Sequence, residues 1–204
     1  EKGTSDILAK LLRSRFATGN SPFKKCPEKA FFSDTAVFAL YRKEALLESG
    51  LFNEELKRNQ DIVLHSQMLD SGLKFLTHPD MKAVYFVRGT VPKLLKKAFD
   101  DGTWIILSGC SFLRHKIPMY FVTYLIICGL VALIILLGIS SFSKLFGLMF
   151  LPLTVYVLLS IYFSLKDGKS FNSLLLIPLF FVFHLAYGMG SIFGVLRLRF
   201  NRPF

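Results

Sequence analysis

Three stretches without a single Lys, Arg, Asp or Glu, residues 117–143, 145–165 and 170–196, constrain this chain more than any other feature of its sequence. Each is long enough to cross a hydrocarbon core, which takes roughly 20 helical residues. Helix is the form expected for them, because lipid offers no hydrogen-bond partner to an open strand edge or an irregular loop. Pro118, Pro152 and Pro178 then stand as entry residues or kinks, which membrane helices tolerate better than soluble ones.

The charges are distributed to match. Of the 25 Lys and Arg, 19 precede Ile117, as do 13 of the 14 acids, so Asp167 is the one carboxylate side chain beyond that point. With 52% hydrophobic residues, 22 Phe and 19% charged residues, the chain is too apolar for one ordinary soluble domain. The expected organisation is a basic, soluble-looking segment over 1–116 followed by about three transmembrane helices over 117–204.

A formal charge of +11 invites a nucleic-acid partner. However, Arg114, Lys116, Lys166, Lys169, Arg197, Arg199 and Arg202 flank apolar spans, and no stacking platform accompanies the charge, so no nucleic-acid partner is expected. Flanking charge speaks instead to topology. With the front segment in the cytoplasm, residues 140–144 form an external loop and 166–169 an internal one. The tail would then lie outside against the positive-inside rule, unless the last segment does not cross fully. Cys26, Cys110 and Cys128 are too few and too scattered for a metal site or a disulfide framework, which fits a reduced cytoplasmic front segment. The chain opens at Glu1-Lys2-Gly3 with neither an initiator Met nor a signal peptide and is expected to be part of a longer protein.

Along the front segment, Thr4, Ser5 or Asp6 can cap a helix with Ile7, Leu8, Leu11, Leu12 and Phe16 at helical spacing. Residues 35–40 read as a buried strand, 43–48 as a short helix stopped by Gly50, and Asn59 as the cap of a helix over 60–69. That helix places Asp61, Leu64, His65 and Met68 along one face, with Asp61 in the first turn. Residues 75–77 and 83–87 are expected strands. Thr90 and Pro92 open an amphipathic basic helix with Lys93, Lys96 and Lys97, expected on the cytoplasmic membrane face.

The order of phrases from Asp34 to Trp104 resembles the acceptor-side half of family 2 glycosyltransferases, particularly membrane-bound exopolysaccharide enzymes of the succinoglycan type. The phrases are Asp34-Thr35-Ala36-Val37-Phe38-Ala39-Leu40-Tyr41-Arg42-Lys43-Glu44, Gly50-Leu51-Phe52-Asn53-Glu54-Glu55-Leu56, Asn59-Gln60-Asp61 and Ser71-Gly72-Leu73-Lys74. Tyr85-Phe86-Val87-Arg88 and Phe99-Asp100-Asp101-Gly102-Thr103-Trp104 follow, and the last span carries His184-Leu185-Ala186-Tyr187-Gly188-Met189-Gly190. The resemblance implies an α/β fold, the acceptor-side half of a GT-A-like nucleotide-sugar domain. It also implies inverting transfer from a nucleotide-sugar donor to a lipid-linked or glycan acceptor at the bacterial inner membrane.

Such a displacement needs one base, because the acceptor hydroxyl must lose its proton as it attacks. Asp61 matches the family's base; its blander explanation is an acid stabilised by a helix N-terminus. Trp104 matches the aromatic end of a Gln-x-x-Arg-Trp-like motif that helps hold donor and acceptor, with an interfacial anchor as the alternative. Lys97 stands at that motif's Gln position, where it can meet phosphate as a point charge. Asp101 stands where relatives carry Tyr and opposes an anion, and Gln67 stands where they commonly carry Arg. Arg88 matches a basic position and is otherwise a solvated Arg; Asp34 shapes the acceptor cleft or serves as a turn residue.

A divalent metal, Mg or Mn, is implied for the complete enzyme through an Asp-x-Asp motif in the preceding half of the catalytic domain. No Asp-x-Asp occurs here, so its ligands are expected outside this sequence, and the chain alone is expected to be inactive. The rival expectation is a non-catalytic membrane scaffold or degenerate transferase remnant. A transporter is disfavoured, because the spans hold one His and no carboxylate. That residue, His184, reads as a functional candidate or, preferably, as a neutral imidazole bonding between helices beside the small-residue stripe of Ala186, Gly190 and Gly194. His65 and His78 lack a Cys or second His at ligand spacing and are not expected to bind metal.

Overall fold

The computed structural model of the chain describes residues 2–19, 27–109, 145–168 and 171–200. The first expected span, 117–143, with Cys26, Cys110 and Cys128, lies outside them. The described elements are mostly helical, with one small sheet and one helix, Ser173–Arg199 of mean hydropathy 1.8, that is long and apolar enough to cross a membrane. That mixture is compatible with part of an α/β transferase domain.

Helix α1 (Lys2–Arg13) and the single turn α2 (Arg15–Thr18) replace the one expected helix. The break falls at Ser14, which is extended at φ −64° and ψ 134° and whose Oγ accepts a hydrogen bond from Phe16 N at 3.2 Å. A Ser side chain offers the backbone this alternative to continued helix. The consequence is to aim Phe16 into the helices that follow.

Strand β1 (Phe31–Ser33) pairs antiparallel with β2 (Phe75–Thr77), with Phe32 opposite Leu76. Residues 35–40 and 83–87, expected as strands, are not strands here. Their apolar side chains are largely in the open, Leu40 at 89% and Phe86 at 87% exposure, and Phe38 takes a left-handed φ of 55°. A strand needs a neighbour for its N–H and C=O groups, and the two-stranded sheet supplies none to these segments.

Helix α3 (Lys43–Glu48) and helix α4 (Gln60–Asp70) form close to expectation. Leu64 and Met68 of α4 are buried against Phe75 of β2, so the apolar face predicted for α4 is the face that packs. Helix α5 (Val91–Leu107) begins after Thr90 with Pro92 in its first turn, where the missing N–H costs nothing.

Helix α6 (Leu145–Gly168), a 3-10 turn (Phe171–Leu175) and helix α7 (Leu176–Arg199) form the helical part behind the front segment. Phe16 enters it between the two helices, stacked on Phe163 at 5.4 Å and edge-on to Phe180 at 5.1 Å. His184 Nε2 lies 3.0 Å from the Phe16 carbonyl, which can only accept, so Nε2 carries the proton. Nδ1 therefore accepts from the Tyr156 hydroxyl at 2.9 Å. This is the interhelical imidazole preferred from the sequence.

The tightest contact joins α5 to α7. A Cβ on Gly102 would collide with the Tyr187 carbonyl, one on Gly190 with the Phe99 carbonyl, and one on Gly194 would sit 2.7 Å from the Thr103 carbonyl. Thr103 Oγ1 also donates to the Gly190 carbonyl at 3.0 Å. The small-residue stripe therefore packs on the motif-bearing helix of the front segment. In an ordinary helix, Gly→Ala stabilises by roughly 0.5–1 kcal/mol; here Gly102→Ala is expected to destabilise by about 1–3 kcal/mol through overpacking. A thermal melt of the purified variant checks the sign, and a raised midpoint would contradict the contact.

Candidate active site

Asp61 sits in the first turn of α4, half-buried, with its Oδ1 accepting from Ile62 N at 2.9 Å. It lines an open cleft of about 350 Å³ together with Gln60 and with Phe52, Asn53 and Glu54 from the loop after α3. Asn59 precedes the helix as expected but makes no side-chain cap, because its left-handed backbone (φ 61°) turns it away from the cap geometry. Asn tolerates that conformation better than most residues.

Behind the cleft lies a polar arrangement that sequence reasoning missed. His65, one turn after Asp61 and 1% exposed, has Nδ1 at 2.8 Å from Thr35 Oγ1 and Nε2 at 2.7 Å from the Tyr41 hydroxyl. A neutral imidazole donates from one nitrogen and accepts at the other, and both hydroxyls can take either part, so the buried ring is fully satisfied. Helical spacing had placed His65 on the Asp61 face. What it could not supply was Thr35 and Tyr41, which reach the ring from a loop 24 to 30 residues earlier in the chain.

Burial lowers the His65 pKa from its ordinary 6.5, and the Asp61 charge partly offsets this. Burial first, and then Asp61, raises that of Tyr41. Both residues thus feel the same carboxylate. As pH falls through 6.5, unfolded chain takes up a proton that folded His65 resists, so stability drops until the lowered folded value is passed.

The other expected site residues are placed differently. Lys97 is bonded to Asp101 on the next turn of α5, and Asp101 also pairs with Arg58, which reaches Asp100 at 3.8 Å. The two residues that depart from the resembled motif therefore compensate each other. Trp104, 7% exposed, packs with Leu56, Val63 and Leu107. Through Leu56 it braces the loop leading to Asn59 and α4. Asp34, Arg88 and Gln67 are exposed, and none lines the cleft. The structure thus brings together Asp61, Phe52, Asn53, Glu54 and Gln60, backed by His65 and Tyr41, while Trp104 packs on Leu56 of the adjoining loop and Lys97 bonds within α5.

For the divalent metal the residues present do not fit. Among the described residues, no group of three or more His, Cys, Asp or Glu is placed to hold an ion.

A carboxylate in the first turn of a helix thus stands in the wall of an open cleft. The chain is 30% identical over 96 residues to the dolichyl N-acetyl-alpha-D-glucosaminyl phosphate 3-beta-D-2,3-diacetamido-2,3-dideoxy-beta-D-glucuronosyltransferase of Methanococcus voltae, a match covering 47% of this chain and 30% of that one. The chain is therefore related to a glycosyltransferase, and its match spans under a third of that relative's length. No protein-family model matches the chain. No solved structure matches it either.

If Asp61 and His65 share a field as placed, Asp61→Asn removes the charge that holds the imidazole pKa up. The ring titration of His65, followed by NMR, is expected to move to lower pH than in the parent; an unmoved titration would separate the two residues.

Proposed function

We propose that this chain is the acceptor-side part of an inverting glycosyltransferase of the family 2 type, working at a membrane face. It would transfer a sugar from a nucleotide-sugar to a lipid-linked or glycan acceptor in the synthesis of a cell-envelope glycan such as an exopolysaccharide. The observation that carries this reading is the position of Asp61 in the wall of the cleft, joined to the relationship with a transferase named for a dolichyl-linked sugar phosphate. In the proposed step the acceptor hydroxyl oxygen bonds to the anomeric carbon, and the bond from that carbon to the nucleotide diphosphate breaks. The diphosphate leaves with the electron pair, and the acceptor proton passes to the Asp61 carboxylate. One displacement of this kind inverts the anomeric centre.

The donor and the divalent metal that would neutralise its diphosphate fall to residues outside this cleft. The membrane part, three helices in this reading, would anchor the cleft at the cytoplasmic face of a bacterial inner membrane. A second reading, a scaffold or degenerate remnant, is favoured by the mutual pairing of Lys97, Asp101 and Arg58, which consumes the charge the resembled motif would turn to the donor.

Asp61→Asn in the complete protein decides between the two. A general base contributes typically 10²–10⁴-fold, so turnover is expected to fall by at least about a hundredfold while donor binding, read by calorimetry, is retained. Residual turnover near the parent level would remove Asp61 from the role, and absence of turnover in the parent would favour the scaffold.

A further inference from the structure

We infer that Phe52 is a stacking platform for a sugar ring, so that the Asp61 cleft takes the neutral, hydroxyl-bearing ring of the acceptor and not a phosphate group. This rests on the proposed transferase reading and names what the cleft recognises.

Three observations converge. First, Phe52 is 42% exposed, yet its ring is held in place, edge-on to Tyr41 at 5.9 Å. Tyr41 is fixed in turn by its bond to buried His65, whose ring lies 4.4 Å from that of Phe75. An exposed aromatic ring backed by a satisfied buried network presents a flat face without having to order itself on binding, which lowers the entropic cost of association.

Second, the backbone is bent to present this ring. Helix α3 ends with Gly50 N–H donating to the Leu47 carbonyl and Leu51 N–H to the Leu46 carbonyl, both at 3.2 Å, the pairing of a Schellman ending. Gly50 supplies the left-handed residue such an ending requires, at φ 86°. Leu51 then adds a second, at φ 66°. For a residue with a branched side chain that conformation costs about 1–2 kcal/mol, and strain of this sort collects at binding and catalytic sites. Its result is to place Phe52 in the cleft wall shared with Asp61.

Third, the lining selects against an anion. Glu54 and Asp61 both line the cleft, no Lys or Arg is among its lining residues, and Arg58 of the same loop is engaged by Asp100 and Asp101. A phosphate there would meet two carboxylates, whereas a sugar ring offers an apolar C–H face to the negative face of the aromatic ring and hydroxyls to the surrounding carboxylates and amides. An acyl chain would suit Phe52 but leave those polar groups without partners.

The test is saturation-transfer NMR on the complete protein in lipid nanodiscs, with the methyl glycosides of glucose, galactose, mannose and N-acetylglucosamine as probes. Running it in the Asp61→Asn background removes any dependence on turnover, so a failed base assignment leaves this result unaffected. Saturation is expected to concentrate on the C–H protons of one ring face for at least one glycoside. Phe52→Tyr is expected to retain binding. Phe52→Leu, which keeps an apolar side chain against Tyr41 but has no flat face, is expected to weaken binding about tenfold, with the His65 resonances unchanged as a fold control. Saturation from none of the four glycosides, or a Phe52→Leu protein that binds as well as the parent, would overturn the assignment.

Discussion

The close approach of α5 to α7 is the contact on which the rest of the arrangement hangs. Gly102, Gly190 and Gly194 let two backbones meet where any side chain would hold them apart, and Thr103 bonds across the gap. Helix α5 then holds the loop before α4 at two points, Trp104 on Leu56 and Asp101 on Arg58. Asn59 and Asp61 follow within five residues of Leu56. The position of the candidate base is therefore referred, through two short links, to a helix of membrane length.

Those two links differ in kind. Leu56 and Trp104 are buried at 6% and 7% exposure, and removing such side chains from water contributes on the order of 1.5–3 kcal/mol each. The ion cluster of Arg58, Lys96, Lys97, Asp100 and Asp101 is partly solvated, and exposed pairs of that type contribute roughly 0–1 kcal/mol each. Trp104 thus provides most of the attachment and the charges most of the orientation. The cluster leaves Asp100 and Asp101 neutralised beside Lys97, so the departure from the resembled motif is locally self-consistent even though it costs that position its free cation.

Elements that depend on local sequence were legible, and those that depend on distant partners were not. Helices α3, α4 and α5 announced themselves through Gly50, the apolar face of Leu64 and Met68, and Pro92, because helical bonds close within four residues. The expected strands at 35–40 and 83–87 failed because strand formation is a property of a pair. Their apolar residues were read as core, yet Leu40, Val84 and Phe86 are exposed. The break at Ser14 was invisible since the apolar spacing runs straight through it. At the site, Asp61 was found by its place in a phrase and at a helix start. Phe52 lay within the stretch from Gly50 to Leu56 but carried no periodic signal, and the Thr35–His65–Tyr41 bonds join segments whose proximity only the fold creates.

The packing of α7 also bears on where lipid can reach. Leu94 and Ala98 of α5 and Leu8 and Leu11 of α1 share one buried cluster with Leu176, Phe180 and Phe183. One side of this membrane-length helix is therefore covered by front-segment protein. Lys93 and Lys96 are exposed on α5 along that side, and ammonium groups are costly inside hydrocarbon unless they reach water. Elsewhere on α7, Phe181, Met189 and Leu196 are exposed. Helix α7 is thus joined to α5 on one flank and carries exposed apolar side chains on another. The backbone-to-backbone lock between α5 and α7 therefore ties the loop that carries Asp61 to the one described helix long and apolar enough to cross a membrane, so a change at Gly102, Gly190 or Gly194 would be felt at the cleft through Trp104 and Asp101.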